Sequence, residues 1–345
     1  MHTLSQARSR LHTSRYKLTL WTMIVLLTAV IVVPLIPYTI AEVEKATAKE
    51  GISNPNPGAQ LWRDIRQRDK PVTGSTQVKG VDTGILISKQ GEDWRLYRVE
   101  KFVPSSAVIY GVVLVLFALY YLVRGKIRIE GERSGKMVQR STRAERYIHW
   151  FAAILFVILA LTGLILLYGR WVLIPVLGAE GFAVTAEVSK DLHNYLGPLF
   201  LLALIAMFFG FIRDNFFNFK VDMNWFKKLG GYLGGSHPSA EKYNAGQKAW
   251  FWTAILGGLV LVISGLVLDF ANYGQGRTMM QGAHVIHTLS SVVVIAFFIV
   301  HLYLATIGVE GSFDVMVNGN VPEEFARQHH DLWYKQIKGE KLDSS

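Results

Sequence analysis

Apolar positions along the chain gather into six long, nearly uncharged runs separated by polar connections: Leu18–Ala41, Pro104–Val123, Ile148–Tyr168, Tyr195–Ile212, Ala249–Leu268 and Ile286–Val309. About 20 predominantly apolar residues of α-helix cross a bilayer core, so each run predicts a membrane span. The first run has two readings. Arg8, Arg10, Arg15 and Lys17 precede it and small residues follow it, as in a cleaved signal peptide. Its 24 uncharged residues exceed a usual signal core and include Pro34 and Pro37, which favours a retained anchor. Between the first two runs, Gln77–Lys89 and Asp93–Phe102 alternate in polarity and predict two strands around a turn at Gln90–Gly91. Trp62, Trp94 and Tyr97 would give that segment a small apolar face, suited to a cap or docking surface.

The expected fold is therefore an all-α integral membrane protein, a four-helix transmembrane bundle with one or two extra N-terminal spans. By residue number, 1–41 is the anchor or signal, 42–103 a small periplasmic segment and 104–124 a span. Residues 125–147 form a basic cytoplasmic linker, 148–309 the four-helix domain and 310–345 a cytoplasmic tail.

Charge supplies the orientation. Arg124–Arg146 carries eight Lys/Arg against Glu130, Glu132 and Glu145, and Arg213–Lys248 carries six against Asp214, Asp222 and Glu241. Arg170–Asp191 has two basic residues and three acidic ones, and Asp269–Gly282 has Arg277 as its one basic residue. Basic connections stay on the cytoplasmic side, which makes the C-terminus cytoplasmic and explains the formal charge of +10 without nucleic acid. The chain has no cysteine. Disulfides, thiolate zinc sites, cysteine-held iron–sulfur clusters and thioether-attached haem are thereby excluded within it.

Ten histidines remain as candidate chemistry. His2, His12, His237, His329 and His330 fall in polar tails or loops and read as solvated surface residues. His149, His193, His284, His287 and His301 sit at helix ends or inside apolar runs, where an ionisable group is costly and usually partnered. His287 and His301 are 14 residues apart. That is nearly four helical turns, so both share a face about 21 Å apart along the axis. His149 opens the third run at the inner edge and His193 the fourth at the outer edge. The pairs His149/His301 and His193/His287 would thus lie at two depths, as two bis-histidine b-type haems require. A proton or ion pathway and a purely structural role remain alternatives. Zinc is disfavoured because no compact set of three or four ligands is present. His284 reads as an interfacial polar residue, with an alternative-ligand or propionate role open. Gly163, 14 residues after His149, would leave room for the outer porphyrin, although small residues in membrane helices also serve plain packing.

These residues carry a family resemblance. Glu145-Arg146-Tyr147-Ile148-His149-Trp150, Leu192-His193, Lys242-Tyr243-Asn244-Ala245-Gly246-Gln247-Lys248, Ile286-His287 and Val300-His301-Leu302-Tyr303 resemble the gamma subunit of respiratory formate dehydrogenase, a membrane cytochrome b. Gly311-Ser312 through Arg327-Gln328-His329-His330 and Trp333-Tyr334 extend the likeness to about Arg140–Gly339. The resemblance implies two haem b groups, ligated by His149/His301 nearer the cytoplasm and by His193/His287 nearer the periplasm. It implies a quinone, menaquinone or ubiquinone, near His301, Asn244 and Gly246. It also implies an iron–sulfur beta subunit and a molybdopterin alpha subunit carrying molybdenum or tungsten. Asn244-Ala245-Gly246 reads equally as a helix start, and Lys242 and Lys248 as loop charges. The runner-up readings are the cytochrome b subunit of a nickel–iron hydrogenase or thiosulfate reductase complex, a non-redox membrane anchor, and a transporter.

Overall fold

The computed structural model describes Arg66 and residues 89–234, 237–271 and 273–340. The first apolar run, Trp62 and most of Gln77–Lys89 lie outside the described residues. Among those described, five helices are long and apolar enough to cross a membrane: Gly91–Arg124, Arg143–Val172, Ile174–Asp214, Ala245–Asp269 and Arg277–Gly308. Each outlasts its apolar run at one end or both, and within the bilayer core a helix satisfies its own backbone groups where no water can.

In chain order the elements are α1 (Lys89–Tyr97), α2 (Val103–Arg124), β1 (Met137–Gln139), α3 (Arg143–Val172), α4 (Ile174–Phe211) and α5 (Phe219–Lys227). They continue as α6 (Ala245–Trp252), α7 (Gly258–Asp269), α8 (Arg277–Tyr303), α9 (Asp314–Val317), β2 (Asn320–Pro322), α10 (Glu323–His329) and α11 (Asp331–Lys338). Single π turns join α1 to α2 (Arg98–Phe102) and α6 to α7 (Thr253–Gly257), and another follows α8 (Leu304–Gly308).

Two expectations are corrected. Asp93–Phe102 is helical rather than a strand. Its short alternation yields to the helix that runs unbroken into α2. His149 and His193 do not open their helices either. α3 begins at Arg143, and α4 begins at Ile174, well before His193, with a break at Gly178 (φ 72°).

The described residues fall into two compact units. One comprises residues 89–111, 164–189 and 273–281; within it the Ser106 and Tyr168 hydroxyls meet at 2.5 Å. The other comprises 112–163, 190–271 and 282–340 and contains all the candidate residues. Its main core is built from Ala152, Leu155, Phe200, Ala203, Leu204, Phe251, Ile255 and Val262.

A second, smaller core lies under the C-terminal segment: Ile129, Val309, Val315, Val321, Phe325, Ala326 and Trp333. β1 pairs antiparallel with β2, Val138 opposite Val321, and Ile127 bridges to Val309. The tight turn before β2 needs Gly319 (φ 87°), whose missing Cβ would stand 2.7 Å from the Ser141 carbonyl. Trp150 Nε1 donates to the Met316 carbonyl at 2.7 Å and ties α3 to this core. The tail therefore packs back on residues 127–141.

Candidate haem site

Two pairs of imidazoles meet inside the second unit. The His149 and His301 rings have centroids 6.4 Å apart with their planes at 60°. Those of His193 and His287 are 6.1 Å apart at 72°. His301 lies 14 residues beyond His287 on α8, and the rise of 1.5 Å per residue separates the pairs by about 21 Å. We call the first the tail-side pair and the second the far-side pair.

These separations suit one metal ion between two rings. A metal–imidazole nitrogen bond is about 2 Å and the nitrogen stands roughly a further 1.1 Å from its ring centroid, so two axial ligands place their centroids about 6 Å apart. Rings in mutual contact would be closer, and His237 and His329, which do touch, are 4.7 Å apart. Among the described residues no group of three or more His, Cys, Asp or Glu is placed to hold a metal ion. The donor set is two imidazoles at each level, the axial pattern of a b-type haem.

The far-side rings are held by hydroxyls. Thr162 Oγ1 lies 2.9 Å from His193 Nδ1 and donates its own proton to the Ile158 carbonyl at 2.8 Å. Ser264 Oγ lies 3.1 Å from His287 Nδ1 and donates to the Val260 carbonyl at 2.6 Å. His287 Nδ1 is also 3.0 Å from the Leu261 carbonyl, and His193 makes the corresponding bond to the Leu159 backbone. A carbonyl only accepts, so Nδ1 carries the proton in both rings and Nε2 is left as the nitrogen available to a metal.

Glycines let the rings come this near. A Cβ on Gly163 would meet His193 Cε1 at 3.2 Å, and one on Gly265 would meet His287 Cε1 at 3.3 Å. Gly163 thus clears the His193 ring, a nearer neighbour than the porphyrin expected from spacing. Gly265 and the two hydroxyl residues were not anticipated. The signal was present as Leu159-x-x-Thr162-Gly163 and Leu261-x-x-Ser264-Gly265.

The tail-side pair is built differently. Trp250 of α6 stacks on His301, centroids 5.1 Å apart and planes at 15°. Trp150 stands edge-on to His149 at 5.5 Å. His149 Nδ1 is buried and has no protein partner among the described residues. His284 is bound within α8, where Thr288 donates to its carbonyl at 2.5 Å and lies 3.3 Å from its Nδ1.

Six residues before Trp250, Asn244 caps α6. Its side chain accepts from Gln247 N at 3.0 Å while Gln247 Oε1 accepts from Asn244 N at 3.0 Å, a reciprocal capping box. Gly246 lies where a Cβ would stand 2.9 Å from the Trp225 ring. The loop-charge reading of the flanking lysines is corrected. Lys248 is fully buried and donates to Asp222 Oδ2 at 2.9 Å and Glu241 Oε2 at 2.6 Å. Lys242 bridges Asp214 at 2.6 Å and Glu145 at 3.1 Å. Its ammonium pKa is raised: burial works against the charge, but Tyr243, Asp214 and Glu145 outweigh it.

The tail histidines are not solvated either. His329 and His330 are 8% and 1% exposed, and His330 Nδ1 donates to the Glu241 carbonyl at 2.8 Å. Burial pulls His329 down to about 3 and His330 well below its ordinary value. His237, edge-on to His329, is half-buried and also lowered by burial.

Comparison with known families rests on this same stretch. The model for prokaryotic cytochrome b561 matches residues 140–319, which span both histidine pairs, Thr162, Ser264 and Asn244. The chain belongs to the prokaryotic cytochrome b561 family. Curated relatives include the nitrate-inducible formate dehydrogenase cytochrome b556(Fdn) subunit of Escherichia coli K12, 30% identical over 211 residues, covering 59% of this chain and 93% of the relative. The cytochrome b556(fdo) subunit of the same organism is 29% identical over 206 residues (58% and 93%). The formate dehydrogenase cytochrome b556 subunit of Haemophilus influenzae is 28% identical over 228 residues (63% and 90%). Membership of this family implies haem b and a multi-pass membrane protein, in agreement with the five apolar helices.

Proposed function

We propose that this chain is the dihaem membrane subunit of a formate dehydrogenase and delivers electrons from a periplasmic partner to quinone on the cytoplasmic side. The observation that carries the reading is the pair of imidazole couples, 6.1 and 6.4 Å between centroids, at two depths of one bundle. His193 and His287 hold one haem b, and His149 and His301 hold the other. Bound haem supplies a one-electron carrier at each level. The names of the relatives support formate as the electron source. Formate oxidation then belongs to a molybdopterin alpha subunit containing molybdenum or tungsten, linked by an iron–sulfur beta subunit.

The chain's own residues position and exclude. The Thr162 and Ser264 hydroxyls and the adjacent backbone carbonyls fix the far-side tautomers. Trp250 bars the flank of His301. The short helix α6 joins this tryptophan to the Asn244 cap, where we place quinone together with Gly246. The six residues between Asn244 and Trp250 rise about 9 Å, which keeps a headgroup at Asn244 near the tail-side pair. Quinone takes up two electrons and two protons there, and protons drawn from the basic, tail-side surface would leave the cytoplasm. The protein is then an inner-membrane subunit whose C-terminus is cytoplasmic.

Haem quantification tests the reading. The purified chain should hold two b-type haems. His193→Ala or His287→Ala should remove one component of the reduced-minus-oxidised spectrum, and His149→Ala or His301→Ala the other. A colourless preparation, or both haems surviving all four substitutions, overturns it. Copurification of a molybdopterin protein with formate-dependent haem reduction tests the assignment of the complex.

A further inference from the structure

The two histidine pairs differ in one systematic way. Each far-side imidazole rests on a Leu-x-x-Thr/Ser-Gly element of a neighbouring helix, Leu159–Gly163 for His193 and Leu261–Gly265 for His287. The construction is the same in both. The hydroxyl spends its proton on the carbonyl four residues back and offers its lone pair to Nδ1. The carbonyl three residues back reaches the same nitrogen. The next residue is a glycine, so that the ring can close to 3.2–3.3 Å from the position of the missing Cβ. Neither element recurs at the tail-side pair, where His149 Nδ1 has no protein acceptor among the described residues and His301 is stacked on Trp250.

An imidazole that donates from Nδ1 to a fixed acceptor becomes a more basic ligand through Nε2. A more basic ligand favours the oxidised, more positively charged iron, and hydrogen bonding of this kind is one of the means by which a protein sets a haem potential. We propose that Thr162 and Ser264 are positioning residues which hold the far-side imidazoles as donors and thereby set the far-side midpoint potential below the tail-side one. The inference rests on the dihaem reading above and deepens it. It gives electron transfer a direction, from the far side toward Asn244, that follows from side chains of this chain alone.

Spectroelectrochemistry of the full complex in membranes tests it. The far-side component is identified as the one lost in His193→Ala. In the wild type it should have the lower midpoint. Thr162→Val with Ser264→Ala should shift that midpoint upward and narrow the gap, with the tail-side midpoint unmoved and both haems at wild-type content. Thr162→Ser and Ser264→Thr, which keep the hydroxyl, should restore the wild-type value. Should the double variant lose its far-side haem, Ser264→Ala alone retains the Thr162 hydroxyl on His193 and should give a smaller upward shift. Wild-type midpoints in loaded variants, or a far-side component that is the higher one, overturn the inference and leave the dihaem reading intact. A wild-type chain without b-type haem overturns the dihaem reading itself.

Discussion

A methyl group on Gly265 would stand 3.3 Å from His287 Cε1, and on Gly163 3.2 Å from His193 Cε1. The rings would yield by a few tenths of an ångström to alanine, but a branched side chain leaves no such escape. Gly163→Leu is therefore expected to deplete the far-side haem while the tail-side component persists; normal content of both in the difference spectrum would refute this. Elsewhere in the core, a Cβ on Gly257 would meet Val294 Cγ2 at 2.5 Å. Overpacking of that kind costs about 1–3 kcal/mol, so Gly257→Ala should lower the thermal midpoint in detergent, with haem content unaltered below the transition. At this scale the histidine spacing was legible because helix geometry is rigid over 14 residues. Thr162 and Ser264 were not, since a hydroxyl in an apolar helix ordinarily bonds its own backbone and does so here as well.

Buried charge joins α5 to α6. Lys248 has no exposed side-chain surface, Asp222 has 4%, and the Asp222 carboxylate also accepts from Asn218 N at 2.7 Å, closing the start of α5. Removing one partner of a buried pair costs about 3–5 kcal/mol because the other charge is stranded. Lys248→Met should destabilise by that order in a melting experiment, and adding Asp222→Asn should recover part of the loss. The Asn244 cap contributes separately: Asn244→Ala should cost about 0.5–2 kcal/mol, so any change in quinone affinity must be read at a temperature where the variant is folded. The helix start at Asn244 was readable from sequence, being a local pattern. The burial of Lys248 was not, since its acidic partners lie 7 residues away in the preceding connection and 26 residues away on α5. The strand expected at Asp93–Phe102 failed for a related reason. Alternation over ten residues is weaker than the continuity of a 34-residue helix.

Across the second unit, the tail core holds buried histidines that stay neutral. Above the ordinary histidine value of 6.5, folded and unfolded tails hold the same protons at His329 and His330 and neither contributes a pH dependence. Below 6.5 the unfolded tail takes up protons that the buried rings refuse, so tail stability falls with pH until the folded values are reached. Each ring can cost on the order of 2 kcal/mol by pH 5. Limited proteolysis beyond Val309 should therefore accelerate between pH 7 and pH 5, and His329→Phe with His330→Asn should flatten the response. Glu324 cannot produce this window. Its hydrogen bonds from Ser134 hold the carboxyl down to about 2, so its contribution is present above its ordinary 4.5 and is lost only as pH falls below that. The five apolar helices among the described residues were legible from hydropathy alone. The tail fold was not, because its partners are the residues 127–141 that the sequence presents as a basic linker.

Strand β1 is synthesised before α3, and β2 after α8 has been completed. Its edge must wait, unpaired, through the making of every helix that carries a candidate ligand, and closes only once Val321 has been made. Chains stopped before β2 would keep Val138 unpaired, so quality control could tell them from chains that contain β2 by that open edge without inspecting the bilayer.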